Sequence, residues 1–319
     1  MAGNKGEKYL TKLLDKMYIK YYIVNMRMII LIFTVCSLLF ALPVNAQNGN
    51  GNGQHYSNGT GGMPADRHFP KTGFFHLYLG ANLAISDYSE PDIGVTHSNY
   101  YFPGFVIRAA LENPDRMPVF ASLRYKYQSG TYNYNGYIQN LGGQRTRYSE
   151  TALPVSKYDI EFLAGAVNNR FRGFIGLQYE RYDDKAHTVN GYFYKRTRES
   201  LYGVLGFGAK HTWEEYRSAE LVVKAKPLIS GEHSSRLSDL GSVWTSVGTI
   251  KKDQSRGFRF EVSVEYNYEM LWIEPYISYT RIAATEIVAF SMTPSPLVGR
   301  INEPLNVTTE FGINIGIRF

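Results

Sequence analysis

The chain has 319 residues, 44% of them apolar, with 26 Tyr, 18 Phe, a single Cys and a formal net charge of +6. One cysteine excludes a disulfide framework and a cysteine-based metal centre. The charge sits at the N-terminus, where residues 1–46 hold six Lys/Arg and two acids, leaving 28 basic against 26 acidic residues beyond them, and so near-neutral a remainder offers no basic face for nucleic acid.

Taken in chain order, the first recognisable element is an export signal. Arg27 precedes an apolar run from Met28 to Phe40, followed by Pro43 and by Val44-Asn45-Ala46. A positive segment, a short apolar core and small residues at −3 and −1 define a signal peptide over residues 1–46, with cleavage expected before Gln47. Residues 1–25 fit such a leader poorly, and a start at Met26 would leave a conventional one. The run is too short and too soon broken for a spanning helix. Cys36 lies inside it behind Val35, not behind the small residue that a lipoprotein site needs. Residues 47–72 are Gly/Asn-rich and read as a flexible periplasmic arm. Residues 73–319 remain for the folded part.

From there period-2 segments follow one another, and alternation puts the two residue sets on opposite faces of a strand. The first segment, Gly73 to Ser86, places Phe75, Leu77, Leu79, Ala81, Leu83 and Ile85 on one face. Later ones set Phe105 and Ile107 against Arg108, Leu123 and Tyr125 against Arg124 and Lys126, and Ile160 and Phe162 against Asp159 and Glu161. Next come Ile175 and Leu177 against Gln178 and Glu180, a Gly-rich stretch from Leu201 to Ala209 with the least defined register, and Leu221 and Val223 against Glu220 and Lys224. Phe258, Phe260 and Val262 then oppose Arg259 and Glu261, and Ile273 and Ile277 oppose Glu274 and Ser278. The tenth segment is TTEFGINIGIRF, Thr308 to Phe319.

The connections alternate long and short. Short ones fall at Asn113–Pro118, Val167–Phe171, Lys210–Glu214 and Asn267–Met270; long ones span 87–102, 129–155, 182–199, 227–255 and 284–304. That predicts an all-β, ten-stranded, up-and-down antiparallel transmembrane barrel with short periplasmic turns and long extracellular loops. An even strand number brings both ends of the barrel to the short-turn side. The charged face of the strands carries both signs in balance, as a closed lumen requires, because an unpaired buried charge costs several kcal/mol. The apolar face carries almost no charge and ends at the long-loop side in Tyr125, Tyr127, Tyr158, Tyr179 and Tyr279, the pattern of an interfacial aromatic belt.

The last strand, with Phe311, Ile313, Ile315, Ile317 and Phe319 alternating with polar or small residues, resembles the C-terminal assembly signal of bacterial outer-membrane proteins. The resemblance implies insertion by the barrel-assembly machinery. With EPLNVTTEFGINIGIRF and the region of SRLSDL (Ser235 to Leu240), the ten-strand layout looks like a group of proteobacterial outer-membrane β-barrels without an assigned activity.

Chemistry is harder to find. Among ten-stranded barrels, the omptin proteases carry an Asp-x-Asp pair on an early loop and an Asp-x-His pair on a later one. Here the second long loop has no Asp, the later long loops hold no Asp-x-His, and YDDKAH (Asp183, Asp184, His187) has a different spacing. His233 and Ser235 in GEHSS form a His-x-Ser spacing such as lipid A deacylases use, but in a long loop; this is the alternative, hydrolytic reading. His55, His68, His76, His97 and His211 show no metal-ligand spacing, and neither a metal nor a cofactor is expected. A wide pore is disfavoured because ten strands leave a lumen that side chains can fill; a narrow channel is the remaining conduit. The preferred reading is structural and surface-binding, adhesin-like and not catalytic. It rests on Arg145, Arg147, Lys195, Arg196 and Arg198, interleaved with Tyr132, Tyr134, Tyr137, Tyr192, Phe193 and Tyr194 in the second and third long loops. Such groups suit lipopolysaccharide phosphates, a glycan or a host polyanion, on a monomeric protein of the outer membrane.

Overall fold

In the computed structural model the described residues are 75–319, except 114–117, 140–144, 169, 188–192, 215–216, 241–244 and 292–297. The signal peptide, the arm, Cys36, His55, His68 and Tyr192 lie outside them.

Alternating residues give β1 (Phe75–Glu90), β2 (Val95–Asn113), β3 (Val119–Gln139), β4 (Arg145–Val167), β5 (Phe171–His187), β6 (Phe193–Glu214) and β7 (Arg217–Arg236). After them come β8 (Thr249–Gln254), β9 (Gly257–Tyr268), β10 (Leu271–Ile282), a small side hairpin of β11 (Val288–Ser291) and β12 (Val298–Ile301), and β13 (Asn306–Arg318). Neighbours pair antiparallel from β1 through β7, then β7 with β9, β9 with β10 and β10 with β13; β13 returns to β1 and closes the ring. β8 and β9 are one barrel strand broken at residues 255–256, since β7 holds both in a single register (Gly231↔Gln254, Pro227↔Phe258). The result is a closed ten-stranded barrel. Its closing seam runs to the last residue: Phe319 N donates to Leu77 O at 2.8 Å, and Leu77 N to Phe319 O at 3.1 Å.

The short turns have local causes. Asn168 Oδ1 accepts from the backbone of Arg170 (2.8 Å) and Phe171 (2.7 Å), capping the β4–β5 turn. Between β9 and β10, Glu269 takes φ 51°, the left-handed conformation that tight hairpins demand. The turn expected at Lys210–Glu214 is instead strand, with β6 running to Glu214 through a bulge.

The long connections differ more. β3, β4 and β6 have 21, 23 and 22 residues, about twice the roughly 9–11 that cross a bilayer. Most of the stretches read as loops are strand, so the wall of the barrel rises well past the tyrosine belt. Alternation fades there because a wall facing water need not be apolar on its outside.

The predicted faces hold. Ile175 (65% exposed) and Leu205 (62%) point outward, and Phe105, Tyr125, Tyr158 and Tyr179 form a connected outer aromatic row. The interior is polar and paired in layers. Nearest the short turns, Arg172 meets Glu220 at 2.6 Å and Arg108 meets Glu265 at 2.7 Å. At mid-height Glu161 and Glu261 hold Lys224 (2.8 and 3.0 Å) and Lys226 (2.9 and 2.6 Å), with Arg124 beside Glu161 at 3.2 Å. Above them Lys157 pairs with Glu310 at 2.9 Å and Arg259 with Glu180 at 2.7 Å. Pairing at this density offsets the cost of burying the charges. Two voids among the layers, of about 30 and 20 Å³, hold at most a water or two each.

Candidate functional site

The inner face of the barrel changes character above the belt, and backbone irregularity is the reason. A one-residue shift of register exchanges the faces of every residue beyond it. β2 bulges between Ser98 and Tyr101, so odd residues replace even ones inside and His97 turns inward. On β7 a shift at Ile229 (Tyr202↔Leu228, then Leu201↔Ser230) turns His233 and Ser235 inward instead of Glu232 and Ser234. Ala152 at φ 60°, its N–H donated to Asn133 Oδ1 at 3.2 Å, marks the same kind of irregularity on β4.

These shifts gather a buried cluster at the mouth. Arg196 of β6 is bidentate to Asp184 of β5, at 2.9 and 2.7 Å. Glu303, from the segment between β12 and β13, is held by Thr285, whose hydroxyl accepts from Glu303 N at 2.7 Å. Its carboxylate lies 3.3 Å from His233 Nε2, 3.6 Å from Lys252 Nζ and 3.5 Å from the Tyr88 hydroxyl. Tyr88 also donates to Glu90 at 2.6 Å, and Lys252 Nζ lies 3.3 Å from Ser235 Oγ. The His97 ring stacks between Tyr88 and Tyr132 at 4.6 and 4.8 Å.

All these groups lie beyond the spanning part of the wall, and burial governs their ionisation. Burial, reinforced by Lys252, pushes His233 well below its ordinary value, and burial with Arg196 does the same to His97. Both are therefore neutral at pH 7. Burial, then the neighbouring Glu303, raises Glu90 to about 7. Lys252 is lowered by burial against the pull of Glu303.

The residues singled out in the sequence separate. Lys195 faces outward, 44% of its side chain exposed, with Nζ 3.3 Å from Asp183. Arg196 and Arg198, read as surface groups, face inward into the mouth. The correction is geometric, because successive residues on a strand cannot share a face. Arg145 and Arg147 stand on β4 opposite Gln139 and Tyr137, with Arg147 exposed. His233 and Ser235 are not in a loop; they lie in β7, enclosed at 3% and 0% exposure. Ser235 has Lys252 as its polar neighbour, while His233 faces Glu303. Lys252 is turned inward by the break between β8 and β9, and Glu303 lies outside regular strand, so neither face shows in the sequence. Glu90 and Asp184 continue the inward even series of β1 and β5 above the apolar band, where no apolar partner face marks them. Among the described residues, no group of three or more His, Cys, Asp or Glu is placed to hold a metal ion.

No protein family and no curated protein matches the sequence. Solved structures do match in shape. The outer membrane protease OmpT from Escherichia coli aligns over 77% of this chain and 96% of its own, at TM-score 0.51 and 9% identity. This chain has the fold of the outer-membrane ten-stranded β-barrels. The Ail protein of Yersinia pestis, solved with a heparin analogue, aligns over 77% of this chain and 99% of its own at TM-score 0.29 and 11% identity. The toluene transporter TodX of P. putida aligns over 76% and 89% at TM-score 0.28 and 8% identity. At 9% identity the likeness to OmpT is one of fold. The outer-membrane-type barrel built here has its own mouth, made from the residues above.

Proposed function

We propose that this chain is an exported bacterial outer-membrane protein with a structural and surface-binding role, working through the outside of its protruding wall. The observation that carries the reading is a groove of about 370 Å³ on the outer face of β3 to β6, lined by Tyr127, Ser129, Pro154, Ser156, Asp183 and Lys195 among others. It begins where the tyrosine row ends. A lipid whose chains lie on Ile160 and Leu177 would bring its headgroup to this level, where Lys195 and the half-exposed Arg181 meet it. The chemistry suits the phosphates of lipopolysaccharide or a similar anionic glycan. The final strand, its outward Ile315 and Ile317 beside the closing Phe319, supports insertion by the barrel-assembly machinery.

The test uses purified protein in detergent and lipopolysaccharide binding by the wild type and a Lys195→Ala/Arg147→Ala variant. The variant should bind about tenfold more weakly, as for the loss of one or two exposed charge contacts near 1 kcal/mol each. Unchanged affinity removes the proposal.

A hydrolytic reading keeps one point in its favour, the approach of Lys252 to Ser235, an amine whose pKa burial lowers, donating to a hydroxyl at 3.3 Å. Against it, Ser235 is wholly enclosed. Ser235→Ala is therefore expected to leave lipid A and peptide turnover where the wild type has it; loss of a measurable activity in that variant would favour the enzyme.

A further inference from the structure

We infer that Arg198 and Asn306 form a buried binding site for a monovalent anion, a halide or a carboxylate group, between the mouth and the ion-paired lumen. Arg198 stands apart from the buried cations around it, each of which has a carboxylate within ion-pair distance. Its neighbour Arg196 is bidentate to Asp184, and the buried cations below it are paired with Glu180, Glu310, Glu161, Glu261, Glu220 or Glu265. Arg198 instead reaches Asn306 Oδ1 at 3.5 Å and lies over the rings of Tyr88 and Tyr182, at 5.3 and 4.6 Å. Among the described residues no carboxylate is paired with it. A guanidinium bonded to one amide oxygen at the limit of hydrogen-bond length leaves most of its five N–H groups for something else.

A second, independent feature points into the same space. Asn306 is wholly buried, and its amide nitrogen has no hydrogen-bond partner. Leaving such a donor unsatisfied costs about 1–3 kcal/mol. With Oδ1 turned to Arg198, Nδ2 is a donor on the wall of the cavity that Arg198 also lines. Hydroxyls of Ser86, Ser200, Thr280 and Thr308 complete the wall, and each can turn a proton toward an anion.

Charge and volume fix the class of ligand. Three cations, Lys157, Arg198 and Arg259, line the cavity against two carboxylates, Glu180 and Glu310. Lys157 and Arg259 are already bound to those carboxylates, and the acids of the void above, Asp184 and Glu303, are engaged by Arg196 and Lys252, so Arg198 is the cation left without a direct ion pair. One negative charge neutralises it; a divalent oxyanion would overshoot. The space, about 30 Å³, takes about two water-sized atoms, a halide or the two oxygens of a single carboxylate. Arg198 also lines the smaller void above, with His97, His233 and Glu303, so a longer ligand could enter from the mouth and seat only its carboxylate here.

The experiment uses the full-length protein refolded in detergent in a Tris–sulfate buffer, and follows thermal unfolding against added bromide, formate, acetate or hexanoate, with further sulfate at matched ionic strength as the control. Bromide and formate should raise the unfolding temperature along a saturating curve, sulfate should not, and Arg198→Gln should abolish the saturable part. An exposed-site variant, Arg236→Gln, should keep it. Tighter binding of hexanoate than of formate would identify the carboxylate end of a larger molecule; binding of bromide and formate alone would identify a free ion. Should Arg198→Gln fail to fold, crystals of the wild type soaked in bromide decide the matter by anomalous scattering. A peak within hydrogen-bond distance of Arg198 and Asn306 Nδ2 is expected. Equal responses to all anions, or bromide peaks only elsewhere, overturn the site.

Discussion

Arg196 and Lys195 are adjacent in sequence and opposite in fate. One is fixed inside the mouth, the other half-exposed on the outer wall, and their acids are likewise successive, Asp184 within and Asp183 without. The two pairs should differ sharply in worth. Asp184→Ala leaves a buried guanidinium without its anion and is expected to cost about 3–5 kcal/mol, whereas Asp183→Ala should cost under about 1 kcal/mol. Urea unfolding of the two variants in lipid vesicles measures the difference; equal losses would contradict the inward assignment of Arg196. Glu90 makes a pH prediction. Its folded value, about 7, lies above that of an unfolded carboxyl, about 4.3, so the folded state binds the extra proton between them. Its contribution is full at low pH and is lost as pH rises through about 7. The neutral histidines act the other way, since an unfolded His takes up a proton below about 6.5. Comparison with Glu90→Gln isolates the carboxyl: stability of the wild type relative to the variant should fall from pH 4.5 to 7.5. A flat difference would show that Glu90 ionises like an exposed acid.

Strands were legible where they touch lipid and illegible where they do not. From Ile160 to Ala164, or Phe258 to Val264, the sequence must alternate, because one side faces acyl chains and the other a packed set of charges. Above the belt both sides are wet or polar, so Tyr132 to Tyr137 or Lys195 to Glu199 show no apolar period although they are strand. The mouth was illegible for a further reason. Bulges at Ser98–Tyr101 and Ile229 reverse the inward set without any fixed sequence mark, so His97 and His233 could be named but not aimed. The height of the apolar band can be tested directly. Leu205→Arg, opposite Ile175, lies near mid-depth and should cost about 2–4 kcal/mol, while Ile229→Arg, near the level of Tyr179, should cost about 0–1 kcal/mol. Equal penalties would mean that the band is misplaced. Inside the barrel, a side chain at Gly312 would collide with the Tyr276 ring. Gly312→Val should therefore lose the folded, heat-modifiable form on gels, and normal folding would show that the lumen is looser than described.

For the whole molecule, closure and filling are one requirement seen twice. A ring of ten strands leaves no open edge for hydrocarbon to strand, and its interior is narrow enough that side chains from facing walls meet, as Arg108 of β2 meets Glu265 of β9. Among the described residues the same filling leaves water-sized voids between the charge layers, so planar bilayers containing the protein are expected to show no steady conductance. The central claim is that the odd residues of β5 meet lipid while the even ones are sealed among paired charges. Because the only cysteine, Cys36, precedes the expected cleavage site, a nitroxide can be placed at each of residues 171–179 in turn, and its collision with dissolved oxygen read by electron paramagnetic resonance in bilayers. Oxygen accessibility should be high at 171, 173, 175, 177 and 179 and low at the positions between. A flat profile, or one with the even positions high, would contradict the account.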